Sequence, residues 1–215
     1  MKRRELLKFG MVAAGGVLIA NQTLAQSACG LTPAQTEGPF YPIKDQLDKD
    51  RDLTSVNGSS QLAEGKIIIV RGTVTNQFCK PVEGALVEIW QACHSGKYNH
   101  PGDTNTAKLD PNFQYWGKAI TNDYGVYSFK TIIPGAYPAD TNWTRPPHIH
   151  FKIQKLGYLE LITQMYFQGE VLNDQDLILK RIPKNDQSKV IIPLIPGEAQ
   201  APPGAHFNIS LEKLT

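Results

Sequence analysis

The stretch RPPHIHFKI, residues 145–153, alternates histidines with large apolar residues directly behind a double proline. Alternate side chains of a strand point to opposite faces, so His148 and His150 project together while Ile149 and Phe151 face the other way. Val, Ile and Phe in such alternation mark a strand packed on one side, and the Arg-Pro-Pro segment reads as the turn that precedes it. A half-exposed strand with two surface histidines would explain the pattern taken alone. What else the chain offers decides what the pair does.

The same strand signal recurs outward from this stretch. KIIIVRGTVTN (66–76), GALVEIWQA (84–92), GVYSFKTII (125–133), HIHFKIQ (148–154), LELITQMYF (159–167), KVIIPLI (189–195) and HFNISLEKL (206–214) are rich in β-branched and aromatic residues. Gly, Pro, Asn and Asp separate them. Many short strands at this spacing predict an all-β fold, an antiparallel β-sandwich. LNDQDLILKRI (172–182) is the one fair helical candidate. Two long loops, 93–118 and 134–147, are expected to carry any site, as loops on rigid β scaffolds do.

The 215 residues suit one domain after a leader. Residues 1–25 have a basic start, an apolar run over 11–20 and small residues at Thr23 and Ala25, the layout of an export signal. Arg3-Arg4 gives it the twin-arginine form, which predicts a periplasmic or otherwise exported protein that meets a membrane only during export. The domain is then expected over 26–215. Setting residues 1–25 aside removes Lys2, Arg3, Arg4, Lys8 and Glu5 from 22 basic and 20 acidic residues, which leaves one acidic residue in excess. That balance gives a nucleic-acid partner no electrostatic support. Cys29, Cys79 and Cys93 allow one disulfide and a leftover thiol, with the pairing open.

Tyr98 and Tyr137 stand in the two long loops, and composition gives no reason to single them out. The segments VEIWQACHSGKYNHPGD (87–103), LDPNFQYWGKAITNDYGVYSFKTIIPGAYP (109–138), RPPHIHFKI (145–153) and LITQMYFQGE (161–170) give that reason by resemblance. In this order and spacing they resemble the intradiol ring-cleavage dioxygenases, and within that family the iron-bearing β subunit of protocatechuate 3,4-dioxygenase. QTEGPFYP (35–42) resembles a further motif near the start of those catalytic domains.

The resemblance implies that Tyr98, Tyr137, His148 and His150 match four iron ligands, one Fe(III) per chain. Arg145 and Gln164 match a pair beside the substrate. Trp90 matches an aromatic near the pocket, where an ordinary core tryptophan is the other reading. Tyr137 is also implied as a proton acceptor. Donor chemistry agrees, since two phenolates and two imidazoles favour ferric iron, whereas zinc takes Cys, His or carboxylate. The implied substrates are O2 and an ortho-diphenol such as protocatechuate or catechol, opened to a muconate-type dicarboxylic acid. Homo-oligomerisation is left open. The competing readings are an exported β-sandwich binding module without catalysis and a zinc hydrolase built on the two histidines. His94, His100 and His206 read as loop or surface residues.

Overall fold

The computed structural model describes residues 29–46 and 48–214, so the export segment expected over 1–25 lies outside the described residues. These form strands β1 (Ile67–Asn76), β2 (Leu86–Trp90), β3 (Trp116–Ile120), β4 (Val126–Ile132), β5 (Tyr137–Asp140), β6 (Trp143–Arg145), β7 (His148–Gln154), β8 (Leu161–Phe167), β9 (Ile191–Ile192), β10 (Leu194–Ile195), β11 (Gly204–His206) and β12 (Ile209–Leu211). Three short 3-10 turns cover Val171–Gln175, Leu179–Arg181 and Gln187–Lys189.

Two five-stranded sheets make the sandwich. The first runs β10-β11-β1-β12, with β4 antiparallel to β1 from Ile67↔Ile132 to Thr73↔Val126. The second runs β3-β2-β7-β8-β9, and β5 and β6 make a separate hairpin. Between the sheets, Ile68 and Val70 of β1, Phe129 of β4, Val87 and Ile89 of β2, and Ile149, Phe151 and Ile153 of β7 are buried in one apolar core. Phe151 meets Tyr127 of β4 and Phe207, between β11 and β12, at ring separations of 6.1 and 4.9 Å. Fully burying each such side chain is worth about 1.5–3 kcal/mol, so this layer fixes which face β7 turns outward. His148 and His150 therefore lie on the face of the second sheet that points away from the core.

The all-β sandwich expected from the alternation is the fold observed, and β7 has the limits read from the sequence. Three expectations need correction. Segment 172–182 is not a helix but two 3-10 turns separated by Asp176, whose carboxylate takes the backbone N–H groups of Ile178 and Leu179. Loops 93–118 and 134–147 contain structure, namely the start of β3 and the β5–β6 hairpin. The runs 189–195 and 206–214 each split in two. Pro193 interrupts the first, and in the second β1 changes partner from β11 to β12, with Asn208 Oδ1 accepting from the Thr73 backbone N–H at the switch. Both of those pairs, and β8 with β9, are parallel, although most of the sandwich is antiparallel.

The cysteine question closes as Cys29–Cys79, with Cys93 free and buried. No helix among the described residues is long and apolar enough to cross a membrane.

Candidate metal centre

Strand register lays out the outer face of the second sheet in rows. One row is Trp116, Trp90, His150 and Gln164, and His148 stands beside Tyr166 in the next. Trp90 stacks on the His150 imidazole with centroids 4.7 Å apart and planes 12° from parallel. A buried cluster separate from the sandwich core forms over this face from Trp90, Ala92, Tyr98, Trp116 and Tyr137, with Phe40, Tyr41 and Ile162 packed against it. Trp90 is thus a core aromatic of the site's own layer rather than of the space between the sheets.

Two glycines bring the tyrosines over the histidines. A Cβ on Gly135 would lie 2.4 Å from both the Gly96 nitrogen and the His94 carbonyl oxygen, and one on Gly96 would lie 2.3 Å from the Ala136 oxygen. Such approach is possible only without side chains, and Gly96 also has φ +82°, which glycine adopts freely. The loop carrying Tyr98 and the turn entering Tyr137 are clasped backbone to backbone here, with Gly135 N donating to Cys93 O at 3.0 Å. Tyr98 N donates to Asp103 Oδ2 at 2.7 Å, and Lys97 Nζ donates to the Asp103 carbonyl at 2.8 Å, so the loop is held on both sides.

The four candidate donors meet within this layer. His148 Nδ1 lies 2.7 Å from the Pro146 carbonyl oxygen, a contact that requires an N–H, so its Nε2 keeps a bare lone pair. Around that Nε2 crowd His150 Nε2 at 3.2 Å, Tyr98 Oη at 3.4 Å and Arg145 Nη1 at 3.1 Å. The Tyr137 ring centre is 5.4 Å from that of Tyr98 and 5.7 Å from that of His148. Burial, then Arg145, then His150 hold the His148 imidazole well below its ordinary value, and burial followed by Arg145 does the same to His150. Both imidazoles are therefore neutral. Burial first of all pushes the phenols of Tyr98 and Tyr137 up.

Arg145, at the end of β6, is 3% exposed. Its Nε donates to Asp176 Oδ2 at 2.8 Å, and its Nη2 donates to Gln164 Oε1 at 2.8 Å and Tyr166 Oη at 3.0 Å. The N-terminal segment closes the other side. Gln35 Nε2 donates to Tyr166 Oη at 3.0 Å, Gln164 N donates to Gln35 Oε1 at 2.9 Å, and Gln164 Nε2 donates to Thr36 O at 2.9 Å. The Phe40 ring lies 4.7 Å from Tyr98 and 6.0 Å from Tyr137.

This arrangement fits a metal ion. Donors that share one cation at about 2.1 Å stand roughly 3.0–3.4 Å apart, which is the spacing found around His148 Nε2. The buried Nδ1 of His150 has no hydrogen-bond partner among the described residues, and the ring's Nε2 is turned to the point where the donors meet, 3.2 Å from His148 Nε2. Among the described residues no group of three or more His, Cys, Asp and Glu side chains could hold a metal. The fitting set is two imidazoles and two phenols.

Every candidate residue read from the sequence, Trp90, Tyr98, Tyr137, Arg145, His148, His150 and Gln164, is brought into this one layer. Asp176, Tyr166, Gln35 and Phe40 were not singled out. Phe40 and Gln35 lie within the quoted QTEGPFYP and Tyr166 within LITQMYFQGE, so the signal was present. Asp176 sat in a segment read as helical. His94 and His206 are exposed, paired with Glu64 and Arg71, and half-buried His100 packs against Phe40.

A family model described as Dioxygenase matches residues 36–212. The protocatechuate 3,4-dioxygenase beta chain of Burkholderia cepacia is 40% identical over 157 residues, covering 71% of this chain and 66% of that one. The crystal structure of 3-chlorocatechol 1,2-dioxygenase from Rhodococcus opacus 1CP superposes with a TM-score of 0.68 at 25% identity, over 85% of this chain and 73% of that one. The dioxygenase domain of a dioxygenase–carbohydrate-binding fusion from Streptomyces sp. SirexAA-E gives 0.62 at 30% identity, over 85% and 99%. The chain spans two thirds or less of the length of the curated relatives it matches.

Proposed function

Because the chain belongs to the intradiol ring-cleavage dioxygenase family, we propose that it opens an ortho-diphenol such as protocatechuate or catechol with O2, using one Fe(III) held by Tyr98, Tyr137, His148 and His150. The observation that carries this reading is the convergence of two neutral imidazoles and two buried phenols in one closed layer. A ferric ion bound there would act as a Lewis acid that draws electron density from a chelated diol and opens its ring to O2.

The chain's own residues do the rest. Burial raises the proton affinity of the Tyr137 oxygen, so in its phenolate form this side chain would readily take up a proton given up by the diol and become the neutral phenol. Arg145 directs Nη1 at the point where the donors meet and stabilises negative charge developing on the substrate, aided by the Gln164 and Tyr166 dipoles. Trp90 keeps the His150 ring from turning by stacking on it. Segment 35–42 excludes water, with Phe40 over both tyrosines. The balance is simple: one diol and one O2 give one dicarboxylic acid that retains both oxygen atoms. Reaction under 18O2 should yield a muconate-type acid carrying two labelled atoms. Product with one label or none would overturn the reading.

We also propose that the protein works outside the cytoplasm. The Cys29–Cys79 disulfide supports this, since such bonds persist in oxidising compartments. Replacing Arg3-Arg4 with Lys-Lys should leave the protein in the cytoplasm, and undiminished export would remove the twin-arginine assignment.

A further inference from the structure

We propose that Asp176 is a positioning residue that sets the plane of the Arg145 guanidinium toward the substrate, an inference that rests on the diol-cleaving reading above. Asp176 is wholly buried, comes from the segment that follows β8 and not from any strand of the site, and touches none of the four candidate donors in the hydrogen bonds it makes. Its carboxylate takes one edge of the guanidinium, Nε at 2.8 Å to Oδ2 and Nη2 at 3.4 Å to Oδ1. A guanidinium presents its five donors in one rigid plane, so fixing one edge fixes the direction of the remaining N–H groups. The free end, Nη1, is thereby aimed at His148 Nε2, the point on which the other donors converge.

Asp176 is itself anchored. Oδ1 accepts from the backbone N–H groups of Ile178 at 2.9 Å and Leu179 at 2.7 Å, which closes the 3-10 turn following it. The guanidinium's other side-chain partners, Gln164, Tyr166 and His148, are neutral. Asp176 is thus its only anionic hydrogen-bond partner among the described residues, and with that charge gone a buried cation would lose its electrostatic reason to keep this orientation. A mis-aimed Nη1 weakens stabilisation of charge that appears only during reaction, so the loss falls on kcat more than on KM.

The test compares iron-loaded wild type, Asp176→Asn, Arg145→Gln and the double variant, with catechol and protocatechuate as probes. Asparagine keeps an oxygen for the turn and removes the charge. Assayed well below its melting temperature, Asp176→Asn should retain iron content and the visible spectrum while kcat falls about 10- to 100-fold with KM little changed, the usual scale for a partner that orients an active group. In the Arg145→Gln background the same change should cost nothing further, because the effect passes through Arg145. An unchanged kcat overturns the inference, as does an equal loss in the Arg145→Gln background. So does a kcat that falls only in step with lost iron or lost folded protein. If wild type cleaves neither diol, the parent reading fails first and takes this one with it.

Discussion

Breaking the Cys29–Cys79 bond should loosen the roof of the site as well as the fold. The bond joins residues 50 apart and ties the N-terminal arm to the turn after β1. Cross-linking a loop of that length lowers the entropy of the unfolded chain by about 14 cal/mol/K, or roughly 4 kcal/mol at 25 °C. For a domain of this size each kcal/mol moves the melting temperature by about 2–4 °C, so the shift should be roughly 8–16 °C. Beyond the bond, the arm is held by Thr32 to Ser210, by Pro33 to Thr163 and by Gln35 to Ile162, contacts that lead directly to Gln164 and Phe40. Loss of the tether should therefore raise KM for the diol before it unfolds the sandwich. The assay is calorimetry with and without dithiothreitol on wild type and on Cys29→Ser/Cys79→Ser, together with steady-state kinetics. Reductant should lower the wild-type melting temperature to that of the double variant and leave the variant unmoved. A wild-type melting temperature unchanged by full reduction would refute the reasoning.

Three further outcomes follow from the site's construction. Gly135→Ala places a Cβ against Gly96 and His94, which pushes apart the loops that carry Tyr98 and Tyr137; iron content measured by mass spectrometry should drop while strand content by circular dichroism holds. In the metal-free protein both imidazoles are neutral when folded and titrate near 6.5 when unfolded. The unfolded chain thus binds the extra protons below about pH 6.5, and stability present above that value is lost as pH falls toward the depressed folded values, by up to about 1.4 kcal/mol per pH unit for each imidazole. Thermal melts from pH 8 to pH 5 should show that fall, and a flat profile would mean that the pair is not buried neutral. Tyr137→Phe should change the colour of the iron-loaded protein and slow turnover sharply, checked by absorption and stopped-flow; an unaltered spectrum and rate would take Tyr137 out of the site.

The sandwich was legible because most strands bury one face, and period-two alternation follows directly from that. β3 escaped notice since Gly117 and Lys118 dilute its pattern, and β5 because Pro138 reads as a turn. The apolar spacing of 172–182 fits a helix, but Asp176 spends its carboxylate on the next turn and on Arg145, which breaks the backbone ladder that a helix needs. Within the site, His148 and His150 declare themselves by sharing a strand face. The tyrosines do not; only resemblance selected them from eight. The Gln35–Tyr166 and Arg145–Asp176 contacts span 131 and 31 residues, and no local pattern announces a pairing made by tertiary folding.

The central claim is that two tyrosines and two histidines hold one ferric ion that a diol chelates. The visible absorption spectrum of the purified, iron-loaded protein, recorded before and after anaerobic addition of catechol or protocatechuate, tests it most directly. One iron per chain with a red-brown tyrosinate-to-iron band that shifts on adding the diol is the predicted result. A protein that stays colourless after ferric loading, or a band that the diol leaves unmoved, would contradict it.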